Sequence, residues 1–392
     1  MKKIISLMLF FCFALIFIMG GVSNVNSCFA LTEDFNDFTA KSYILMDYNS
    51  GEVLFQKNSS EKLPVASIVK LMTIELTCEE IERGALSLDD IIIASENASG
   101  MGGSQVFIEA GGEYSVGDLL KSVIVSSAND ASVALAEKIA GGESSFVSLM
   151  NKKARELGLK NTNYCNSTGL PVSGQFSCAE DTAKLLRQVT SHEIYHKYST
   201  IWMDSLSHPK GRESELVNTN KLIRYYEGCD GGKTGSTNEA GYCLSATAKR
   251  GDMRLISVVL GSTTGKDRFD ESAQLLNFGF GNFENRKIVS GGVVLNERTE
   301  VKAGNVENVG VYSKDDLFVL SKKRDDEVEI FTEIRFNGVN APIRKGDKVG
   351  EIYVIKNGIV VGTSDLISNE NVEKQTFFNL IEKIVNNWQV IN

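Results

Sequence analysis

The chain has 392 residues, 42% of them hydrophobic and 23% charged, which is the composition of an ordinary folded protein with room for two domains. Its net charge of −9 argues against nucleic acid as a partner, because phosphate binding needs a basic face and no basic cluster stands out. An acidic surface otherwise indicates little beyond solubility.

The first thirty residues have the pattern of a secretory signal peptide. Lys2 and Lys3 precede an apolar run over 4–19, and small residues end at Ala30, where we expect cleavage. The run is too short for a membrane span, which needs about 20 apolar residues. Lipidation at Cys28 is an alternative, but the leucine expected upstream is missing. The protein is therefore predicted to be exported with 39 basic and 50 acidic residues, a net charge of −11.

Five of the seven cysteines lie beyond the signal peptide. An odd number at irregular spacing does not indicate a disulfide framework, and the Cys-x-x-Cys pairs typical of zinc sites are absent. We expect most of these cysteines to be small buried apolar residues, with one disulfide left open. They are Cys78, Cys165, Cys178, Cys229 and Cys243.

The first predicted elements alternate between strands and helices. Strands over 41–48 and 52–56 surround the turn Asn49-Ser50-Gly51, and a helix is predicted over 66–81. Two apolar strands over 241–249 and 253–261 form a hairpin that is expected inside a sheet. Apolar periodicity predicts further helices over 116–125 (with Ser115 as the cap), 130–139, 144–157, 179–189 and 268–278, the last ending at Gly279.

The pattern changes near Asn282, after which no helical periodicity appears for about eighty residues. We therefore predict a mixed domain over 31–282 and an all-β domain over 283–368. The short β-rich runs of the second domain are 293–295, 317–320, 327–336, 350–355 and 358–361.

The last segment, 369–392, contains an amphipathic helix predicted over 371–391. Polar residues interrupt it too often for it to cross a bilayer, so it lies either at a membrane surface or against protein. We favour the membrane surface, because aromatic-rich amphipathic helices at a free terminus suit an interface, although the weak positive charge argues against it. Its apolar stripe consists of Phe377, Phe378, Ile381, Ile384, Val385 and Trp388.

Three short motifs carry candidate chemistry. They are Ser67-Ile68-Val69-Lys70, Ser127-Ala128-Asn129 and Lys233-Thr234-Gly235, and in this order they are typical of β-lactamases and penicillin-binding proteins. Each motif is weak alone, since Ser-x-x-Lys recurs at Ser59 and Ser207. Those two lie in polar segments next to a proline, whereas Ser67 begins an apolar helix whose dipole favours developing negative charge.

With these motifs the chain resembles the D-alanyl-D-alanine carboxypeptidase family, the low-molecular-weight penicillin-binding proteins. The resemblance covers nearly all of the chain after the signal peptide and departs mildly at Ile68-Val69 and at Ser236. It implies an α/β (α+β) catalytic domain, like that of serine β-lactamases and transpeptidases, with a C-terminal all-β domain. The matching stretches are 64–73, 127–131, 218–220, 230–235, 239–242 and 341–347.

The resemblance also implies an activity. Such an enzyme removes the terminal D-alanine from the peptidoglycan pentapeptide through an acyl-enzyme on Ser67, binds β-lactam antibiotics covalently, and needs neither a cofactor nor a metal.

The residue types predict how acylation would proceed. A serine hydroxyl needs a base beside it, and none of the three histidines lies near Ser67 in the sequence. Lys70 can be that base if it is neutral, and burial together with a second cation, Lys233, would lower its pKa. We expect Ser127 to relay a proton to the departing D-alanine amine.

Residues for substrate binding follow from the second and third motifs. Asn129 would hold the substrate amide, and Lys233 with Thr234 would bind the terminal carboxylate, which Arg268 would support. The resemblance implies an oxyanion hole made by the backbone N–H groups of Ser67 and Ser236. Gly235 would let the backbone approach closely, and the strand after Lys233 would add the peptide as an extra strand. The candidate binding residues are Asn129, Lys233, Thr234, Gly235, Ser236 and Arg268.

A competing motif is His192-Glu193-Ile194-Tyr195-His196, which matches the pattern of zinc proteases. A catalytic zinc needs a third protein ligand, and residues 198–202 offer neither the glycine nor the histidine of the extended pattern. We therefore expect a solvated helix end there. Activity lost in EDTA but not with a β-lactam would favour zinc.

Three other functions remain open. A class A β-lactamase needs a glutamate that positions water, and residues 213–218 resemble that loop but lie too close to Lys233; rapid nitrocefin turnover would favour this function. The complete set of motifs argues against a catalytically silent wall-binding protein, whereas a D,D-endopeptidase would use the same chemistry. The β-domain shows no catalytic constellation and is expected to hold the catalytic domain off the membrane or to bind a partner.

Overall fold

The structure, a computed structural model, describes residues 35–324, 329–377 and 381. The predicted signal peptide over 1–30 lies outside the described residues, and so does most of the predicted helix over 371–391.

Among the described residues up to Ser368, the helices lie in the first part of the chain, as predicted. Ser115 caps its helix by accepting a hydrogen bond from the Asp118 amide. A single 3₁₀ turn, Ala66–Val69, precedes the first α-helix. The α-helices are α1 (Lys70–Glu82), α2 (Glu96–Ser99), α3 (Val116–Ser126), α4 (Asn129–Ala140), α5 (Glu143–Glu156), α6 (Ala179–Val189), α7 (Glu193–Ser199), α8 (Leu222–Tyr225) and α9 (Asp267–Asn282).

The strands divide between the two parts of the chain. Those before α9 are β1 (Ser42–Asp47), β2 (Val53–Lys57), β3 (Ile91–Ile93), β4 (Glu113–Ser115), β5 (Met203–Ser207), β6 (Glu213–Val217), β7 (Cys229–Thr237), β8 (Gly241–Arg250) and β9 (Met253–Ser262). Those after it are β10 (Phe283–Val289), β11 (Val294–Lys302), β12 (Asn308–Ser313), β13 (Leu317–Lys322), β14 (Ile330–Phe336), β15 (Val339–Asn340), β16 (Lys348–Lys356) and β17 (Ile359–Ser368).

A five-stranded antiparallel sheet forms the centre of the first part, in the order β2-β1-β9-β8-β7. The predicted hairpin of β8 and β9 lies inside it, which explains the nearly continuous apolar sequence of both strands. Helix α9 packs against β8 and β9, and α6 packs against β1 and β9. Strand β7 is left at the edge of the sheet.

The prediction that the last helix ends at Gly279 is wrong, because α9 continues to Asn282. A Cβ added at Gly279 would lie 2.4 Å from Leu255 Cδ1 and 3.0 Å from Leu45 Cδ2. This glycine therefore serves close packing of the helix on the sheet and not helix termination.

From β10 to β17 the described chain contains strands and no helix, as predicted for the all-β domain. Its main sheet has the order β14-β16-β17-β12-β11-β15, and β10 pairs separately with β13. The sequence patterns did not identify β10, β12 or β15. Val372 is buried in the core of this part and pairs with Ile343, so the chain is still extended where the terminal helix was expected to begin. Helical backbone is described at Phe377 and Ile381.

Predictions about the cysteines and about membrane spans were also made from the sequence. The five described cysteines are all free thiols, and every one except Cys165 is buried, in agreement with their predicted role as apolar residues. Within the described part of the chain, no helix combines the length and the apolar character needed to cross a membrane.

The two parts join without a linker. Helix α9 ends at Asn282 and β10 begins at Phe283, whose side chain is buried. Asn285 Nδ2 donates a hydrogen bond to Asp47 Oδ1 over 2.7 Å, which connects β10 to the end of β1. Lys323 Nζ donates to the Phe280 carbonyl at 2.7 Å.

Candidate active site

Ser67 lies in the 3₁₀ turn that leads into α1. The residue before it, Ala66, has a φ of +50°, which is unfavourable for a residue with a Cβ and is typical of functional turns. Lys70 is the first residue of α1, one turn later, and its Nζ lies 3.0 Å from Ser67 Oγ. The structure thus brings together the hydroxyl and the amine of the first motif.

The surroundings of Lys70 favour a neutral amine. The side chain is fully buried, and Nζ donates a hydrogen bond to the Thr168 carbonyl at 2.5 Å. Burial and then the charge of Lys233 hold the pKa of Lys70 well below its usual value, and Asp130 opposes them only partly. A neutral amine has a lone pair that can accept the Ser67 proton, whereas an ammonium group has none.

Ser127 and Lys233 form the second close pair. Ser127 caps the C-terminus of α3 with a φ of +61°, and its Oγ accepts a hydrogen bond from Lys233 Nζ over 2.7 Å. Lys233 Nζ also donates to the Thr234 carbonyl at 3.0 Å. Burial and the nearby Arg268 lower the pKa of Lys233 to about 7. Both lysines therefore have depressed pKa values. Burial is the main cause in each case, and a neighbouring cation adds to it, Lys233 for Lys70 and Arg268 for Lys233.

Asn129 begins α4 beside this pair. Its backbone N–H donates to the Ser104 carbonyl over 2.7 Å, and its side-chain Nδ2 donates to the Gly102 carbonyl over 2.6 Å. Its Oδ1 is buried and has no hydrogen-bond partner among the described residues. A buried amide oxygen without a donor carries a free-energy cost, which a ligand N–H could remove.

Gly235, the glycine of the third motif, is required by close packing. A Cβ added at Gly235 would lie 2.6 Å from the Val65 carbonyl oxygen and 3.1 Å from the Ser67 nitrogen. The turn that carries the nucleophile can approach β7 only because residue 235 has no side chain. Thr234 Oγ1 donates to Thr219 Oγ1 over 2.8 Å, and Ser236 is exposed on the edge strand.

Arg268 lies at the site, but its described hydrogen bonds are with the backbone. Its Nη1 donates to the Gly235 carbonyl at 3.0 Å and to the Cys243 carbonyl at 3.3 Å, and its guanidinium lies 5.5 Å from the Tyr242 ring centroid. It therefore fixes β7 against β8, and it also lowers the pKa of Lys233.

The loop that supplies the hydrogen-bond partner of Lys70 was not predicted from the sequence. Asn166 Oδ1 accepts hydrogen bonds from the backbone N–H groups of Thr168 and Gly169, and Glu143 Oε1 accepts from Ser167. These bonds fix the Thr168 carbonyl in place. The one signal in the sequence was the glycine after Thr168, which no motif associated with the site.

Gly169 offers a direct test of this loop. Its φ is +83°, and an added Cβ would lie 2.1 Å from the Ala66 carbonyl oxygen. We expect Gly169→Ala to lower kcat/KM by roughly 100-fold, because a shift of about 1 Å at the nucleophile has that effect. Gly174 is a matched control with a φ of +86° and no atom closer than 3.8 Å to an added Cβ. If Gly174→Ala reduced activity equally, the effect would come from backbone strain and not from contact with the nucleophile turn.

The expectation of a solvated helix end at His192 is wrong. His192 is buried at the start of α7, with Nδ1 2.8 Å from Glu82 Oε1 and Nε2 2.9 Å from Glu75 Oε2. Burial opposes the imidazolium, but the hydrogen bonds to the two carboxylates outweigh it and raise the pKa of His192 to about 9. His196 Nε2 instead lies 2.9 Å from the Thr190 carbonyl.

Both histidines of the pattern that matches zinc proteases therefore make hydrogen bonds within the protein. In the described ranges, no group of three or more His, Cys, Asp or Glu side chains is arranged to hold a metal ion. The segment over 213–218, which resembled a lactamase loop, is mainly strand β6, and its Glu213 and Glu215 are exposed.

Comparison with known proteins adds an independent observation. A family model described as D-alanyl-D-alanine carboxypeptidase matches residues 29–264, and one described as penicillin-binding protein 5, C-terminal domain, matches residues 283–374. The D-alanyl-D-alanine carboxypeptidase DacF of Bacillus subtilis is 39% identical over 350 residues, 89% of this chain and 90% of that protein. The carboxypeptidase DacC of Escherichia coli is 37% identical over 86% of each.

The solved structures agree. Penicillin-binding protein 5 from Haemophilus influenzae has a TM-score of 0.70 and 33% identity, covering 88% of this chain and 100% of that chain. The predicted fold class, an α+β catalytic domain followed by an all-β domain, is confirmed.

Proposed function

Because the chain belongs to the D-alanyl-D-alanine carboxypeptidase family, we propose which of its residues carry out the reaction. The protein is a serine D-Ala-D-Ala carboxypeptidase that acts on peptidoglycan stem peptides and binds penicillin. The observation that carries the assignment of residues is the pair of lysine–serine contacts, Lys70 Nζ to Ser67 Oγ at 3.0 Å and Lys233 Nζ to Ser127 Oγ at 2.7 Å.

Acylation begins at Ser67. Neutral Lys70 takes the hydroxyl proton while Ser67 Oγ attacks the carbonyl carbon of the penultimate D-alanine. The backbone N–H groups of Ser67 and Ser236 stabilise the negative charge on the tetrahedral oxygen. Ser127 gives its hydroxyl proton to the amine of the terminal D-alanine and receives the proton that Lys70 took from Ser67. The C–N bond breaks, D-alanine leaves, and an ester on Ser67 remains. Water then hydrolyses the ester and regenerates the serine.

Substrate binding uses the residues around this pair. Lys233 and Thr234 bind the terminal carboxylate, and Asn129 pairs with a substrate amide, which fits its unpartnered buried Oδ1. The edge strand β7 adds the peptide as a further strand. Arg268 keeps β7 in register through its bond to the Gly235 carbonyl, so its role in carboxylate recognition is indirect.

The experiment combines a substrate with a suicide inhibitor. D-Alanine release is measured from a stem pentapeptide, and mass spectrometry locates the adduct after treatment with benzylpenicillin. We expect release and one penicilloyl group, on Ser67. A folded protein that releases no D-alanine and carries no adduct would refute this function, whereas an adduct on another serine would refute the assignment of Ser67.

We also propose that the protein works on the outer side of the cytoplasmic membrane. The boundaries that we propose are a signal peptide over 1–30, a catalytic domain over 31–282, an all-β domain over 283–368 and a membrane-association helix within 369–392. Ile381 is 42% exposed, which supports an apolar surface in this segment.

Sedimentation with phospholipid vesicles tests the membrane helix. The wild-type chain is expected to sediment with vesicles of phosphatidylglycerol and phosphatidylethanolamine, and a double variant Phe377→Asp, Ile381→Asp to stay in the supernatant. Equal sedimentation of both proteins would contradict this proposal.

A further inference from the structure

Phe107 has an unusual backbone for its residue type. Its φ is +61°, in the left-handed region that bulky L side chains rarely adopt. Of the five other described non-glycine residues with a positive φ, two are asparagines, the type that tolerates this conformation best, and none of the five is as bulky as phenylalanine. The backbone alone therefore does not account for a phenylalanine at position 107.

Packing does not account for it either. The neighbours of Phe107, Val106 and Ile108, are buried with 1% and 3% of their surface exposed, while Phe107 is 60% exposed. An aromatic ring left mostly in water gains little from the hydrophobic effect in the folded protein. The sequence thus keeps a large apolar side chain in a strained conformation on the outer side of the loop.

A buried carboxylate imposes this conformation. Asp130 is fully buried, and its carboxylate accepts hydrogen bonds from the backbone N–H groups of Val106 and Ile108, at 3.1 Å to Oδ2 in each case. Arg212 Nη2 donates to the carbonyl of Phe107 itself at 2.5 Å. The amides on both sides of Phe107 are held, so the strained residue between them is held as well.

The same loop is attached to the substrate-binding residue Asn129. The Gly102 and Ser104 carbonyls accept hydrogen bonds from Asn129, and Asp130 is the next residue in the chain. Phe107 lies three residues after Ser104, so its Cα is within about 11 Å of the Ser104 Cα. A peptide of several residues bound at Asn129 extends over such a distance.

We propose that Phe107 is a specificity-determining residue whose ring binds the apolar surface of the stem peptide beyond its D-alanyl-D-alanine end. This inference rests on the proposed function, because it concerns how the same site distinguishes a full stem peptide from its last two residues. The charged side chains of Asp130 and Arg212 hold the backbone around Phe107 through hydrogen bonds. The ring is therefore already in position before the substrate binds.

The experiment compares two substrates in the protein after the signal peptide, the stem pentapeptide and an N-acylated D-alanyl-D-alanine. The test variant is Phe107→Asn, because asparagine accepts the left-handed backbone without offering an apolar surface. We expect the ratio of kcat/KM for the pentapeptide to kcat/KM for the dipeptide to fall roughly tenfold, and the thermal unfolding midpoint to stay equal or rise.

Ala303→Asn is the matched control. Ala303 has a φ of +54° in the all-β part of the chain. The substitution therefore also places asparagine at a left-handed position, but far along the sequence from the site. The ratio should not change in this variant.

Two results would overturn the inference. An unchanged ratio in Phe107→Asn would show that the ring does not contact the substrate and serves another partner. A lower unfolding midpoint with both substrates slowed equally would show that the ring only supports the loop. Failure of the proposed function is distinguishable from both, since the wild-type protein would then release D-alanine from neither substrate.

Discussion

Replacing Ser67 by alanine is expected to abolish D-alanine release, lowering kcat/KM by a factor of about 10⁴ or more. The reason is that Ser67 Oγ, 3.0 Å from Lys70 Nζ, is the atom that attacks the substrate carbonyl and forms the ester. The fold should be unaffected, since the side chain lost is small and only half-buried. D-Alanine release measures the loss of turnover, and the mass shift with benzylpenicillin measures the loss of the acyl-enzyme.

The chain provides its own control for this substitution. Ser207 also begins a Ser-x-x-Lys sequence, but it is exposed at the end of β5. Ser207→Ala should keep full release and a full adduct. Turnover that survived in Ser67→Ala would show that the nucleophile lies elsewhere.

Replacing Lys70 by arginine is expected to lower the rate of acylation by about 10³-fold. Arginine keeps the positive charge but cannot lose its proton in a protein, so it cannot accept the proton of Ser67. A charge-only role for Lys70 would predict that arginine restores much of the rate. The measurement is the second-order rate of penicilloylation, which isolates acylation from hydrolysis of the ester. Lys210→Arg, on an exposed side chain, is the control.

The pH dependence of kcat/KM gives the same assignment a second readout. Lys70 must be neutral, and burial with Lys233 nearby depresses its pKa, so activity should rise with pH as that proton leaves. Lys233 must be charged to bind the carboxylate, and its pKa is lowered to about 7, so activity should fall again above about pH 7. Lys233→Arg should remove the alkaline limb. A profile still rising above pH 9 in the wild-type protein would contradict the cationic role of Lys233.

The sequence predicted the site because its chemistry lies in short motifs. Ser67 and Lys70 are one helical turn apart, so their proximity follows from local geometry alone. The contact of Lys233 with Ser127 spans 106 positions, and the sequence could suggest it only through a resemblance to a family.

What the sequence could not give depends on three-dimensional contacts without a local pattern. The carbonyl of Thr168 is a backbone atom, so its selection as the partner of Lys70 leaves no trace in residue type. His192 was expected in water because its motif gives no information about Glu75, which is more than a hundred positions away.

The fold shows the same division. The strongly apolar hairpin of β8 and β9 was predicted nearly to the residue, because a strand buried on both faces has an unmistakable composition. Strand β12 was missed, and so was the role of Gly279, because Gly279 looks like a helix terminator unless the packing of Leu255 against it is known.

The linker-free junction between α9 and β10 has a mechanical consequence. A chain that ended at Asn282 would lose Phe283, which is 1% exposed, and would uncover Phe278, whose ring packs against it. It would also lose the Asn285 donor to the buried carboxylate of Asp47. The catalytic part would then expose apolar side chains, and the Asp47 carboxylate would keep only its hydrogen bonds from Ser50. The junction therefore has no loop residue between helix and strand, so a protease finds no extended linker there to cleave.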